Sequence, residues 1–387
     1  MTGKDPIYLD HNATTPVDPR VVDRMLPYFT DIIGNPSSVE HIHGNRAQAA
    51  VKAAREQVAK AIGARETEIV FTGSCTEANN IAILGAARAQ PDKRHLVVSA
   101  IEHPSVIEPA RQLEADGYAL TILPVDETGM VSTDDVRTVL RSDTLLVSVM
   151  AANNEVGTIQ PLREIGAVCE AAGVLFHCDL AQIIASGHVD VAADHIHLAS
   201  LSGHKAYGPK GVGALYVRSR SPRARIAPIQ FGGGQEKNLR PGTLNVPLIV
   251  GLGEAVSLAV RQGAADAGRL LSMSTAFRDY VAANLEGVVF NGHPTLRLPG
   301  NSSLSIEGIE PLALMHKLNQ FASFSASSAC STEKVETSPV LLAMFGDTMR
   351  ARQAFRVAPG RFTEDGALMD FAQQLVVEVE ALRRFAA

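Results

Sequence analysis

Short apolar runs alternate with amphipathic stretches through the first two thirds of the chain. "TEIVFTG" precedes "TEANNIAILGAARAQ", "HLVVSA" precedes "HPSVIEPARQLEADG", and "TLLVSVMAANN" precedes "LREIGAVCEAAG", which leads into "VLFHCD". The runs are short, β-branched and almost wholly apolar, so they read as strands buried on both faces. The stretches between them carry a helical period. This alternation predicts a mostly parallel α/β sheet covered by helices on both sides. "HIHLASLS" and "GVGALYVR" add two further strands. From about Val246 to Leu285 the pattern becomes one long helical period. The last hundred residues or so start again with "NSSLSIEG", a helix "EPLALMHKLNQ", a serine-rich loop and a closing helix "EDGALMDFAQQLVVEVEALRRF". They predict a smaller α+β domain, with its boundary in the 250–265 helix.

The chain of 387 residues is long enough for two such units, and 46% hydrophobic with 20% charged residues is ordinary for a globular protein. A net charge of −6 argues against a nucleic-acid groove as the main purpose. The four cysteines, Cys75, Cys169, Cys178 and Cys330, form no CxxC pair and no zinc-like spacing. Neither a disulfide framework nor a metal site is expected. The N-terminus has no apolar stretch of signal length, and "VPLIVGLGEAVSLAV" is broken by Gly and Glu. A cytoplasmic protein with reduced thiols, apart from any membrane, is the expectation.

In open α/β sheets ligands sit at the carboxyl ends of the strands. Five strand ends here carry polar clusters: "TGSCTEANN", "EHPS", "NNE", "CDLAQ" and "SGHK". Lys205, if desolvated, is an amine able to condense with an aldehyde. Asp179 ends "VLFHCD", and a buried carboxylate there suits a pyridinium N–H. "GSCTE" opens a helix, whose free N–H groups favour an anion. Thr76, Ser202 and His204 add donors, and His103 suits ring stacking or proton transfer. Singly, each has a plain structural reading. Asp179 equally suits a helix N-cap, His103 suits capping the helix that Pro104 begins, and Lys205 suits a solvated strand end. As a set they describe a site for pyridoxal 5′-phosphate. Cys169 and Cys178 read as core, whereas Cys75, at a helix start, is placed where a thiol pKa falls.

The chain resembles the cysteine desulfurases of the nitrogen-fixation and iron–sulfur type, within the class V aminotransferase family of fold-type I pyridoxal-phosphate enzymes. The resemblance runs from "YLDHNATTPVDPRV" to "RFTEDGALMDF". It is carried by "GNPSSVEHIHG", "EHPSV", "ANNEVGT", "FHCDLAQ", "SGHKAYGPKGVGALYVR", "GGGQEKNLRPGTLN", "SSACST" and "RVAPGRFT". It implies a large domain with a seven-stranded, mostly parallel sheet (16–258), a small α+β domain carrying a catalytic-cysteine loop (259–387), and an N-terminal segment (1–15) packing with the small domain. Lys205 would hold the cofactor covalently, Asp179 would pair with its ring nitrogen, and Gln182 would contact its ring hydroxyl. His103 would stack on the ring. Cys75 through its backbone, Thr76, Ser202 and His204 would bind the phosphate. Thr243 would reach the phosphate of a second subunit in a homodimer. Asn154 and Arg356 would grip the substrate carboxylate, Arg356 through its planar fork.

The activity so implied converts L-cysteine to L-alanine. Cys330 would take the sulfur as a persulfide and pass it to an acceptor protein, for iron–sulfur assembly, tRNA thiolation or DNA phosphorothioation. Residues 325–337, "SASSACSTEKVET", read as a polar loop that would let this cysteine serve two places. Two departures stand out: Ser327 where the family has glycine, and Val357 where it has serine. The alternatives are a selenocysteine lyase or another class V lyase, and an inactive scaffold that holds sulfur-transfer partners.

Overall fold

The computed structural model describes residues 5–185, 189–326 and 337–386. The apolar runs form a seven-stranded sheet in the order Ile69–Thr72, Gly213–Val217, Leu198–Ser202, Leu175–Asp179, Thr144–Ser148, His95–Ser99, Ala119–Leu123. All neighbours are parallel except Gly213–Val217, which runs against both strands beside it. Alternate side chains serve opposite faces, as the strand period of two requires. Phe71, Val97, Val147 and Phe176 pack into one core, and Val70, Leu96, Leu146 and Leu175 into the other. Each such burial is worth about 1.5–3 kcal/mol against exposure. The edge strand Ala119–Leu123 is only partly covered. Its sequence, "ALTIL", is as apolar as those of the inner strands, and the sequence reading did not single it out.

The later part of the chain builds a four-stranded antiparallel sheet, Ser325–Ala326, Ala354–Val357, Ser302–Ile306 and Val288–Asn291. Its core holds Leu304, Phe355, Val357, Phe371 and Leu375. Val357, the position that departs from the family's serine, is fully buried in that core. The first two residues of the expected 325–337 loop are strand, and 327–336 lie outside the described residues.

The N-terminal segment joins both parts. Ile7–Tyr8 pairs in parallel with Ala322–Ser323, Leu9 enters the small core, and Asp10 bridges Ala358. Further on, the Thr15 amide donates to the carbonyl of His204 at 3.0 Å. One helix, Val246–Asn284, contributes Val246, Ile249, Val250 and Val256 to the large core and Phe277 and Val281 to the small one. Position 258 falls inside it. Among the described residues it is the one helix long and apolar enough to cross a membrane, and many of its apolar positions are buried in the protein's own cores.

Candidate active site

Parallel strands bring their carboxyl ends to one edge, and a cavity of about 370 Å³ opens there. Pockets of this size suit small ligands and cofactors. Lys205 enters it from a tight turn after Leu198–Ser202. The amides of Ala206 and Gly208 both donate to the Gly203 carbonyl at 3.0 Å. A Cβ on Gly203 would lie 2.7 Å from the Pro209 carbonyl oxygen, so only glycine closes the turn. Tyr207 sits at φ +61°, a left-handed conformation uncommon for an aromatic residue. It is held by the Arg361 guanidinium over its ring at 4.4 Å and by the Arg361 amide donating to its hydroxyl at 2.6 Å. Lys205 Nζ, half-buried, donates to the carbonyls of Asn12 at 2.5 Å and Ala13 at 2.7 Å. The N-terminal "NATT" thus covers the lysine, a role that the strand-end reading did not assign to it.

Asp179, at the end of its strand, is buried. Its Oδ1 accepts the Ala181 amide at 2.9 Å and the Cys75 thiol at 3.5 Å, and its Oδ2 accepts Asn79 Nδ2 at 2.8 Å. It closes a turn and caps no helix. Gln182 lies beside it in the cavity wall and donates to the Asn12 carbonyl at 3.0 Å.

The helix Cys75–Ala89 points its N-terminus at the same space. Ser74 takes the Glu77 amide on its hydroxyl and the Ala78 amide on its carbonyl. The first-turn amides left over are those of Cys75 and Thr76. A Cβ on Gly213 would lie 2.9 Å from the Cys75 amide nitrogen and 2.7 Å from the Ser74 carbonyl carbon, so a glycine lets this strand support the turn. The helix start does not acidify Cys75. Burial, then the Asp179 carboxylate, push its thiol well above the ordinary value, with Lys205 acting against them. This corrects the lowered thiol expected from helix position alone. Ser202 is buried in the cavity wall. Burial, then Lys205 and Lys210, push His204 down to about 4, so it is neutral at pH 7, with Nδ1 3.0 Å from the Thr14 hydroxyl.

His103 caps the helix Pro104–Ala115, its Nδ1 accepting the Ser105 amide at 3.1 Å, and it also lines the cavity. The cap and the place in the cavity wall are compatible in one side chain. Its pKa is lowered, chiefly by burial.

Arg356 is buried, and its fork reaches the Asn154 carbonyl at 2.7 Å and Asp10 Oδ1 at 2.6 Å. Its Nε is buried without a hydrogen-bond partner. Asp10 was not singled out from sequence. Its signal was the same "YLDHN" stretch that supplies Asn12.

Two carboxyls, Glu102 buried and Glu155 half-buried, flank the site. Glu155 is pushed up to about 7, chiefly by burial, and accepts the Ser338 hydroxyl at 2.5 Å. Glu102 is pushed up to about 8, chiefly by burial. Its Oε1 accepts the Ser99 hydroxyl at 2.8 Å and the Met150 amide at 2.6 Å, while Oε2 has no partner. A folded-state pKa raised above the unfolded one favours the protonated fold. That stability is complete below about pH 4.5 and is lost as pH rises through 8. The slope is at most about 1.4 kcal/mol per pH unit for one group. Thermal denaturation from pH 6 to 9 is therefore expected to show a falling melting temperature that is flatter in Glu102→Gln. Parallel curves for the two proteins would refute this.

Ten of the twelve residues singled out from sequence line this one cavity: Lys205, Asp179, Gln182, His103, Cys75, Thr76, Ser202, His204, Asn154 and Arg356. Thr243 does not; it is exposed, outside the cavity. Cys330 lies outside the described residues, four positions after Ala326, which is in the cavity wall. Cys169 and Cys178 are buried, and burial pushes the Cys169 thiol up to about 12.

A parallel sheet with a lysine, a buried aspartate and a helix N-terminus around one strand-end cavity defines a class. The chain belongs to the aminotransferase class-V family, whose model matches residues 7–351. Within that family its similarity is to the cysteine desulfurases. It is 45% identical to the cysteine desulfurase IscS of Anaeromyxobacter sp. (strain Fw109-5), over 98% of this chain and 94% of that protein. Among solved structures, a NifS-like protein superposes with a TM-score of 0.90 at 32% identity, over 97% of this chain and 99% of that one. SspA in complex with cysteine superposes with a TM-score of 0.81 at 34% identity, over 92% and 100% of the two chains.

Proposed function

We propose that this protein is a pyridoxal-phosphate-dependent cysteine desulfurase that moves the sulfur of L-cysteine onto Cys330 and releases L-alanine. The observation that carries the reading is the convergence of Lys205, Asp179, His103, Arg356 and the Cys75–Ala89 helix start on one cavity. The donor set suits the cofactor. The amides of Cys75 and Thr76, with Ser202, would hold its phosphate. Asp179 has acceptor oxygens for a ring N–H, Gln182 and His103 would flank the ring, and Lys205 offers the amine for its aldehyde. When bound, the cofactor supplies an electron-withdrawing ring conjugated to the substrate nitrogen.

The chain's own groups then divide the work. Arg356 and Asn154, both in the cavity wall, would receive the substrate carboxylate. Lys205 takes the proton from the substrate α-carbon. His103, neutral near pH 7, handles a proton on the other side of the reaction. In the net change the carbon–sulfur bond of cysteine breaks, Cys330 Sγ gains that sulfur as a persulfide, and the carbon gains a hydrogen. The transferred sulfur is oxidised as the carbon is reduced, so no external oxidant is required. An acceptor thiol, on a partner protein, would then remove the sulfur. Thr243, exposed near the start of the Val246–Asn284 helix, is free to complete the phosphate site of a second subunit in a homodimer. The three described cysteines are free thiols, which suits a reducing cytoplasm.

After incubation with L-cysteine, mass spectrometry should find one extra sulfur on the Cys330 peptide. Cys330→Ser should lose it while keeping the cofactor absorbance near about 400 nm. Undiminished alanine release and sulfur transfer by Cys330→Ser would exclude Cys330 as the carrier.

A further inference from the structure

Asn79, on the helix Cys75–Ala89, is fully buried, and its side-chain amide bridges two site residues. Nδ2 donates to Asp179 Oδ2 at 2.8 Å and to the Ser105 hydroxyl at 2.8 Å. An aspartate carboxylate offers only acceptors, so the amide must turn its nitrogen toward it. Reversed, Asn79 would set oxygen against oxygen. Both amide hydrogens are thereby committed, one to each partner.

Ser105 Oγ, already accepting from Asn79, lies 2.8 Å from His103 Nδ1. Its own hydrogen is directed there. The backbone amide of Ser105 donates to the same Nδ1 at 3.1 Å. Nδ1 therefore faces two donors and presents its lone pair, which leaves the ring's hydrogen on Nε2. A hydrogen on Nδ1 would oppose the Ser105 amide and force the hydroxyl to turn away. The charged groups that face the ring, Asp179 and Lys205, act on it in opposite directions. The hydrogen bonds, more than the charges, select the tautomer.

We propose that Asn79 and Ser105 are positioning residues that hold His103 in its neutral Nε2–H tautomer and tie that state to the Asp179 carboxylate. At rest the ring then offers the cavity a proton donor at Nε2, and it acts as a base there only after giving that proton up. Since Asn79 also holds Asp179, the aspartate assigned to the cofactor and the histidine assigned to proton transfer share one buried amide. The tautomer follows from the hydrogen bonds alone; its effect on turnover rests on the desulfurase reading.

The test is nitrogen-15 NMR of histidine-labelled, cofactor-free protein, with His103 identified by the signals lost in His103→Gln. Wild type is expected to show Nδ1 bare and Nε2 protonated. Ser105→Ala should move the tautomer ratio about fivefold toward Nδ1–H, as loss of one hydrogen bond allows. Asn79→Ala should shift it in the same direction, and Ser105→Thr, which keeps the hydroxyl, should not. In the cofactor-loaded enzyme Ser105→Ala should lower alanine release about tenfold, with recovery in Ser105→Thr. A protonated Nδ1 in wild type, or an unchanged ratio in both alanine variants, would overturn the proposal. Wild-type protein that shows the expected tautomer but releases no alanine would leave the tautomer standing and count against the desulfurase reading.

Discussion

Lys205→Ala should lose at least about 10³-fold in alanine release from L-cysteine, because no other group replaces a covalent amine at that place. The fold should survive. Lys205 is half-buried, and the carbonyls of Asn12 and Ala13, among the partners it loses, lie on the N-terminal strip over the cavity. The melting temperature should therefore change little while activity collapses. Borohydride treatment followed by peptide mass mapping should fix the cofactor to position 205 in wild type and leave that peptide unmodified in the variant. Near-normal turnover in Lys205→Ala would dismiss the lysine from the chemistry, whatever the condition of the fold.

The largest effect on stability is expected at Glu236, outside the cavity. Its carboxylate takes both ends of the Arg55 fork, at 2.6 and 2.7 Å, and the Phe71 amide at 2.7 Å. It is buried, and it anchors a segment in which Glu236, Lys237 and Asn238 have φ of +47°, +61° and +66°. Three successive left-handed residues that are not glycine persist only where surrounding contacts over-determine them. Glu236→Gln leaves Arg55 without its ionic partner, and breaking a buried pair in this way costs about 3–5 kcal/mol. Urea unfolding should show a clear drop in midpoint. Lys237→Gly relieves the left-handed strain but loses the donation from Lys237 Nζ to the Thr67 carbonyl, so its effect should be smaller than that of Glu236→Gln. Midpoints unchanged in both variants would mean the anchor holds nothing.

Much of this architecture was legible where burial is two-sided. Ile69–Thr72, His95–Ser99 and Thr144–Ser148 are buried at every residue, and the short apolar stretch at the centre of each is the imprint of that. The edge strand Ala119–Leu123 carries a similar run, "ALTIL", though it is only partly covered, and it was not singled out. Lys205, Asp179 and His103 were legible because parallel strands must deliver their ends to one rim. Asp10 and Asn12 were not, since they come from the other end of the chain and reach the site only through pairing with Ala358 and the Lys205 turn. Asn79 and Ser105 fall inside the strand-end clusters "TGSCTEANN" and "EHPS", but neither was given a role there. Their importance lies in facing each other across two helices, which spacing along one helix cannot reveal. Cys75 shows the limit of a positional rule: a helix start favours a thiolate, but burial beside a carboxylate outweighs it.

The parallel pairing of Ile7 with Ala322, and the bridge from Asp10 to Ala358, set an order on biosynthesis. The first strand to leave the ribosome must wait for partners more than three hundred residues away. At roughly 5–20 residues per second that delay is on the order of half a minute. Until then the strip over Lys205 has nothing to dock on from the C-terminal side. The rim of the cavity that Asp10, Asn12 and Ala13 supply is thus completed only after the last strands of the chain have been made.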